Sequence, residues 1–298
     1  MPLEDDLRKQ YKEAKRIINQ ARYDGQLVLF VGAGASVSAG MPSWRQAVKR
    51  IADRLGIEKI SSEDYLRIPQ YYYNAREKKE YTQLMQDVFL HQRNLPSQLL
   101  HDQIIEFNTQ TIITTNYDNL IEQAAEKNSE MIRVISKDSD LPYRKAGREL
   151  IKIHGDFESG NFVLKEDDYL AYSRNFTLIE NYIKSIIGTK VVLFIGYSFN
   201  DPDIKQIFSW AKDILHGDFQ PAYLIETGKN YNLNVDTYFK NFGVNVLYSS
   251  VQLRDDYCDN PTKNLESMLG WLLDQGCKSK LEELHDETRK MENMISQL

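Results

Sequence analysis

The chain has 298 residues, 42% of them hydrophobic and 27% charged, enough to bury a sizeable core without disulfides or bound metals. Its net charge of -6 argues against direct nucleic-acid binding, which wants a basic footprint. The two cysteines, Cys258 and Cys277, form no CxxC pair, which excludes the usual zinc ribbon and reads as reduced thiols in a cytoplasmic protein.

Residues 4–23 carry Leu7, Tyr11, Ala14, Ile18 and Ala21 at helical spacing, so the chain is expected to open on an amphipathic helix. This charged start lacks the apolar stretch of a signal peptide. An apolar strand over 27–31 then runs into Gly32-Ala33-Gly34 and a helix beginning near Ser43 or Trp44. Residues 43–107 are mostly helical in pattern, with Pro96 opening a fresh segment. A parallel crossover needs only about a dozen residues, so this stretch is expected to hold an inserted helical module.

The next strand covers 111–115 and is followed by a helix over 117–127. Short strands are expected at 132–135 and 150–153, and the stretch 155–190 reads as helical, with helices at 166–172 and 178–187. Residues 191–195 are entirely apolar, as a strand buried on both faces requires. This run and 27–31 are far too short to span a bilayer, so no membrane contact is expected. A helix at 202–215 and strands at 222–225 and 244–248 follow. Short apolar strands alternating with helices predict an α/β domain with a Rossmann-like, doubly wound parallel sheet. Its core would lie at about 26–42 and 108–250, with C-terminal helices over about 261–298. In the tail, Leu281, Leu284, Thr288, Met291, Ile295 and Leu298 form a three-four seam. That seam suits either a second chain or a helix folded back on its own domain.

Polar residues collect at the ends of four of these strands. In open α/β sheets ligands bind outside the carboxyl ends of the strands. Gly32-Ala33-Gly34-Ala35-Ser36 could let backbone amides approach a pyrophosphate, or serve close strand–helix packing alone. Position 37 is Val, so the dehydrogenase fingerprint is absent. Thr114-Thr115-Asn116-Tyr117-Asp118 ends the second strand, where Asp118 is equally a helix cap. Ile153-His154-Gly155-Asp156 ends the 150–153 strand, and Gly196-Tyr197-Ser198-Phe199-Asn200-Asp201-Pro202 follows the apolar 191–195 strand.

In that order these motifs resemble the sirtuin, or SIR2, family: GAGASVSAGMPSWR is similar to GAGxSxxAGIPDFR, TTNYD to TQNxD, IKIHG to the catalytic-histidine segment and GYSFNDP to the GxS motif. The bacterial SIR2-like proteins of anti-phage defence, those of Thoeris systems and those paired with short Argonautes or HerA ATPases, are the nearest likeness. It extends to Lys165-Glu166-Asp167-Asp168-Tyr169 and Gln70-Tyr71-Tyr72, and covers about residues 27–250.

The resemblance implies a SIR2 fold and NAD⁺ as substrate, with no metal. It assigns His154 as general base and Asn116 to the ribose and the attacking water. Asp118 would hold the nicotinamide carboxamide. Gly32, Ala33, Gly34, Ser36, Arg45, Gly196, Ser198, Asn200 and Glu226 would line the dinucleotide, Glu226 facing the adenosine ribose. Ser43-Trp44-Arg45 departs from the family's Asp-Phe-Arg, so only Arg45 carries over. The four zinc cysteines are absent from 155–190, and with them the module that helps build an acyl-lysine groove. Water then replaces the acyl oxygen as nucleophile, and the expected activity is NAD⁺ glycohydrolase, yielding nicotinamide and ADP-ribose. The alternatives are a protein deacylase, an ADP-ribosyltransferase or cyclase, and a non-catalytic nucleotide-sensing subunit. Homo-oligomerisation is expected, as is control by a separate protein such as an Argonaute, a HerA-like ATPase or a TIR-type signal producer.

Overall fold

The computed structural model describes residues 2–61, 64–90, 97–142, 147–156, 161–197 and 220–274, with Lys205, Phe208, Ser209, Lys212 and Asp218. Seven strands form one sheet in the order β3-β4-β2-β1-β7-β8-β9. They are β1 (Leu27–Val31), β2 (Thr111–Thr114), β3 (Ile132–Ile135), β4 (Arg148–Lys152), β7 (Val191–Ile195), β8 (Ala222–Glu226) and β9 (Val244–Tyr248). Every neighbouring pair is parallel, as a doubly wound sheet demands. The chain runs outward from β1 in one direction, then returns to place β7 on its other flank. The β1–β7 junction is thus the topological switch point, where such sheets open a crevice.

The central strands β1 and β7 are buried along their whole length, which explains why their sequences do not alternate. At β4 the alternation of side chains can be followed group by group. Arg148 donates to the Ile105 carbonyl at 2.8 Å on one face. Glu149 accepts from the Tyr182 hydroxyl at 2.9 Å on the other. The first face is covered by α5 (Leu99–Glu106) and α6 (Leu120–Lys127), the second by α9 (Thr177–Thr189).

Helix α1 (Pro2–Tyr23) buries Leu7, Tyr11, Ala14, Ile18 and Ala21, the stripe read from the sequence. It is pinned at two points: the Tyr11 hydroxyl accepts the Tyr248 N–H at 3.1 Å, and Asn19 donates to the Leu272 carbonyl at 3.0 Å at the end of helix Pro261–Leu273.

Helices α2 (Trp44–Leu55), α3 (Arg67–Ala75) and α4 (Lys78–Leu90) build a second apolar core from Ala47, Val48, Ile51, Ile68, Tyr81 and Met85. Helix α2 starts where Ser43 caps it, in a reciprocal pair with Gln46. Helix α5 instead sends Leu100, Ile104 and Ile105 into the main core.

Two expectations are corrected. The stretch 155–190 is not helical from its start: it opens with a hairpin of β5 (Gly155–Asp156) and β6 (Asn161–Phe162). Gly155 turns the chain there with φ +68°, and the Val163 N–H closes onto the His154 carbonyl at 2.9 Å. The helix expected over 166–172 is broken at Ala171, where ψ is 3°. It gives α7 (Glu166–Leu170) and α8 (Tyr172–Asn175), because the Tyr172 hydroxyl is drawn to the Ile153 carbonyl at 3.0 Å. Helix Leu233–Lys240 has no counterpart among the expected elements. The tail seam and all but isolated residues of the 202–215 helix lie outside the described residues. No helix among the described residues is long and apolar enough to cross a membrane.

Phe194 tests the central layer. It is fully buried and its ring lies 5.0 Å from Phe30 and 5.5 Å from both Tyr197 and Phe208. Phe194→Ala is expected to cost about 3–5 kcal/mol, read as a lowered urea midpoint with an unchanged slope.

Candidate functional site

The carboxyl ends of β1, β2 and β4 carry three of the polar motifs, and Gly196 and Tyr197 after β7 are the described residues of the fourth. The glycine turn after β1 is locked against the end of β7. Gly32 donates its N–H to the Ile195 carbonyl at 2.9 Å, and Gly34 donates to the Gly196 carbonyl at 2.8 Å. A Cβ on Gly32 or Gly34 would fall 2.6 or 2.7 Å from the Gly196 oxygen, and one on Gly196, at φ +60°, would fall 2.4 Å from the Ala35 nitrogen. These glycines therefore serve close backbone approach. Two of their amides are already committed, so an anion at this turn would have to be met by other donors. The exposed Ala33 begins one of two short 3-10 turns, Ala33–Ala35 and Val37–Ala39, which separate the glycines from α2.

Asn116 ties the second strand to this turn. It is buried, and its Nδ2 donates to the Gly32 carbonyl at 3.2 Å and the Ser36 hydroxyl at 3.1 Å. Its own N–H is accepted at 3.0 Å by the Thr114 hydroxyl, which in turn donates to the Val31 carbonyl at 2.9 Å. The Asn116 Oδ1 is buried with no hydrogen-bond partner among the described residues. A buried acceptor left open in this way suits a hydroxyl or water supplied from outside the chain.

His154 is buried at the end of β4, directly before Gly155. A Cβ on Gly155 would fall 1.6 Å from the Asn161 carbonyl oxygen, so only glycine lets the hairpin fold beneath the histidine. The imidazole stands edge-on to Tyr169 at 5.5 Å and faces Tyr117 at 6.4 Å. The Tyr117 hydroxyl is tied to the Val163 carbonyl. Two aromatic rings from different elements thus border the histidine ring.

Other expected residues are more dispersed. Asp118 accepts the Leu120 N–H at 3.1 Å, from one residue before Asn119, the N-cap position of α6. Burial holds the nearby His101 imidazole below its usual range, opposed by Asp118 and Asp102. Arg45 is exposed on the first turn of α2. Glu226 ends β8, on the far side of β7 from β1, and its carboxylate accepts the Gly228 N–H at 2.9 Å. Ser198 and Asn200 lie outside the described residues. Among the described residues, no group of three His, Cys, Asp or Glu is placed to hold a metal ion.

Sequence reasoning assigned no role to Tyr117, Tyr169 or Lys152. Tyr169 carried only a family likeness. Lys152 had a clearer signal, a cation directly after Leu150-Ile151 and two residues before His154.

The interlock of the glycines is testable by stability alone. Gly196→Ala combines left-handed strain with a backbone collision and is expected to cost about 1–3 kcal/mol. Gly25→Ala carries the same strain at φ +66° but meets nothing within 4 Å, and its urea midpoint should fall clearly less.

Residues 110–247 match the model of the SIR2-like domain. The chain is 37% identical over 244 residues to defense-associated sirtuin 2 of Bacillus subtilis, covering 79% of this chain and 24% of that protein. It is 31% identical over 216 residues to the NAD(+) hydrolase ThsA of Cytobacillus dafuensis, covering 72% and 43%. It is 26% identical over 231 residues to an NAD-dependent protein deacetylase of Bacillus cereus (strain ATCC 14579), covering 76% and 91%. The chain thus spans less than half the length of the first two of these relatives.

Proposed function

We propose that the chain is an NAD⁺ glycohydrolase acting in anti-phage defence by depleting NAD⁺, a reading that proceeds from the match of residues 110–247 to the SIR2-like domain. The observation that carries this reading is the placement of Asn116, with its open buried acceptor, and His154 just after the adjacent parallel strands β2 and β4, with Asn116 bonded to the Gly32 turn at the β1–β7 switch point. Likeness to a named NAD(+) hydrolase and to a defense-associated sirtuin supports both the substrate and the setting.

Nicotinamide leaves NAD⁺ as a neutral molecule from a cationic pyridinium, so its departure needs no general acid. The C–N glycosidic bond breaks with its electron pair going to the ring, and water supplies the new C–O bond. The products are nicotinamide, ADP-ribose and one proton. His154 takes that proton as general base. Asn116 accepts from the ribose or from the water through Oδ1 while Ser36 and Gly32 hold its other end. Asp118 meets the nicotinamide carboxamide, and Gly32, Ala33, Gly34, Gly196, Arg45, Ser198, Asn200 and Glu226 line the rest of the dinucleotide. Orientation of this kind can contribute several kcal/mol to the barrier.

Tyr117 and Tyr169, which border the imidazole, limit its rotation and keep it poised. Self-assembly and control by a separate activating protein complete the reading, since unrestrained cleavage would exhaust the cell's own NAD⁺. The absence of the four zinc cysteines favours water over an acyl-lysine as nucleophile.

Nicotinamide release from NAD⁺ by the protein, with its activator where one is required, is the direct test. His154→Ala and Asn116→Ala are each expected to lower turnover at least ~100-fold. Full turnover in His154→Ala sinks the mechanism, and NAD⁺ loss that strictly requires an acetylated peptide sinks hydrolysis.

A further inference from the structure

Lys152 is a cation at a strand position where the sheet buries apolar groups. It pairs in register with Thr114 and is only 4% exposed. It lies on the same face of β4 as Arg148, toward α5 and α6. Its Nζ stands 2.6 Å from a Glu122 carboxylate oxygen and donates to the Asp118 carbonyl at 2.7 Å. Glu122 sits in the first turn of α6. Burial pushes the Glu122 carboxyl above its usual range, and Lys152 pulls it back.

The placement of the pair is informative. Lys152 is the last residue of β4, two residues before His154 in the turn that follows the strand. The carbonyl it grips belongs to Asp118, two residues after Asn116. One ammonium therefore joins the loop that carries Asn116 and Asp118 to the end of the strand that leads into His154. Stability alone does not call for such a group, because well-packed apolar residues commonly replace a buried ion pair at no loss. A direction-specific tether is something apolar packing would not supply: it fixes where a backbone carbonyl points.

We propose that Lys152 and Glu122 are a positioning pair that sets the 116–118 loop against His154, and so aligns the nicotinamide end of the dinucleotide for cleavage. Glu122 keeps the unit neutral, which spares the cationic pyridinium an uncompensated neighbour. This inference rests on the reading of the site as an NAD⁺ hydrolase.

Two measurements on the full chain separate the tether from that reading. The first is amide hydrogen exchange of residues 116–120, which needs no activity. In Lys152→Met this segment is expected to exchange at least ~10-fold faster while the β1 and β7 amides keep their protection. The second is the kinetics of nicotinamide release for Lys152→Met and for Lys152→Met/Glu122→Leu. The single variant should lose about 10- to 100-fold in kcat with little change in KM, as a small misplacement of a reacting group does. The double variant removes both charges, so it should regain thermal stability while kcat stays low. Unchanged exchange at 116–120 overturns the tether. A kcat that recovers along with stability in the double variant overturns the positioning role and leaves a purely structural pair. A wild-type protein that neither binds nor cleaves NAD⁺ overturns the functional reading instead, and the exchange measurement still decides the tether.

Discussion

The contact on which the rest of the site depends is the backbone seam between the ends of β1 and β7. Two hydrogen bonds, from Gly32 to Ile195 and from Gly34 to Gly196, hold the turns of two strands closer than any side chain permits. From that seam outward the positions follow in sequence. The seam fixes the 3-10 turn that presents Ser36, Ser36 and Gly32 fix the Asn116 amide, and Thr114 fixes the Asn116 backbone. The glycines are thus the datum for the crevice, and the polar side chains are registered against them.

The helical module reaches the same place from another side. Phe162, in the hairpin after His154, stacks on Tyr81 of α4 at 6.1 Å. Gln70 of α3 donates to the Asp167 carboxylate at 2.9 Å and accepts the Asp167 N–H at 3.1 Å. Asp167 belongs to α7, the short helix that also carries Tyr169 against the imidazole. The second core is therefore joined both to the hairpin beneath His154 and to the helix beside it. A displacement of that module would be felt at the histidine through two short, well-defined links.

The parts of this arrangement legible in the sequence are those with a local cause. β1 and β7 stand out because burial on both faces leaves five consecutive apolar residues. Helix α1 stands out because its buried stripe repeats at three and four residues. His154 and Asn116 were legible because each directly follows a strand and so must emerge at the sheet's edge. The hairpin at 155–162 was not, since two-residue strands have no period, and its only local mark is a glycine that any turn would use. The break at Ala171 was equally hidden, being tied to a hydrogen bond from Tyr172 to the Ile153 carbonyl, 19 residues away. The Lys152–Glu122 pair illustrates the limit most clearly. Glu122 is an ordinary acidic residue in the first turn of its helix, and the parallel pairing of β2, which leads into that helix, with β4 brings it to Lys152.

The position of β1 also bears on how the chain is made. It leaves the ribosome before the other six strands of this sheet, yet it occupies the middle, between β2 and β7. Its partner residues lie at 111–114 and 191–195. At about 5–20 residues per second, Leu-Val-Leu-Phe-Val waits on the order of ten seconds for its second neighbour. During that interval both edges of an apolar strand are open in turn, the condition under which strands mispair. The long helical module between β1 and β2 then has a second consequence: with an apolar core of its own, it can condense while the central strand is still waiting for its flanks.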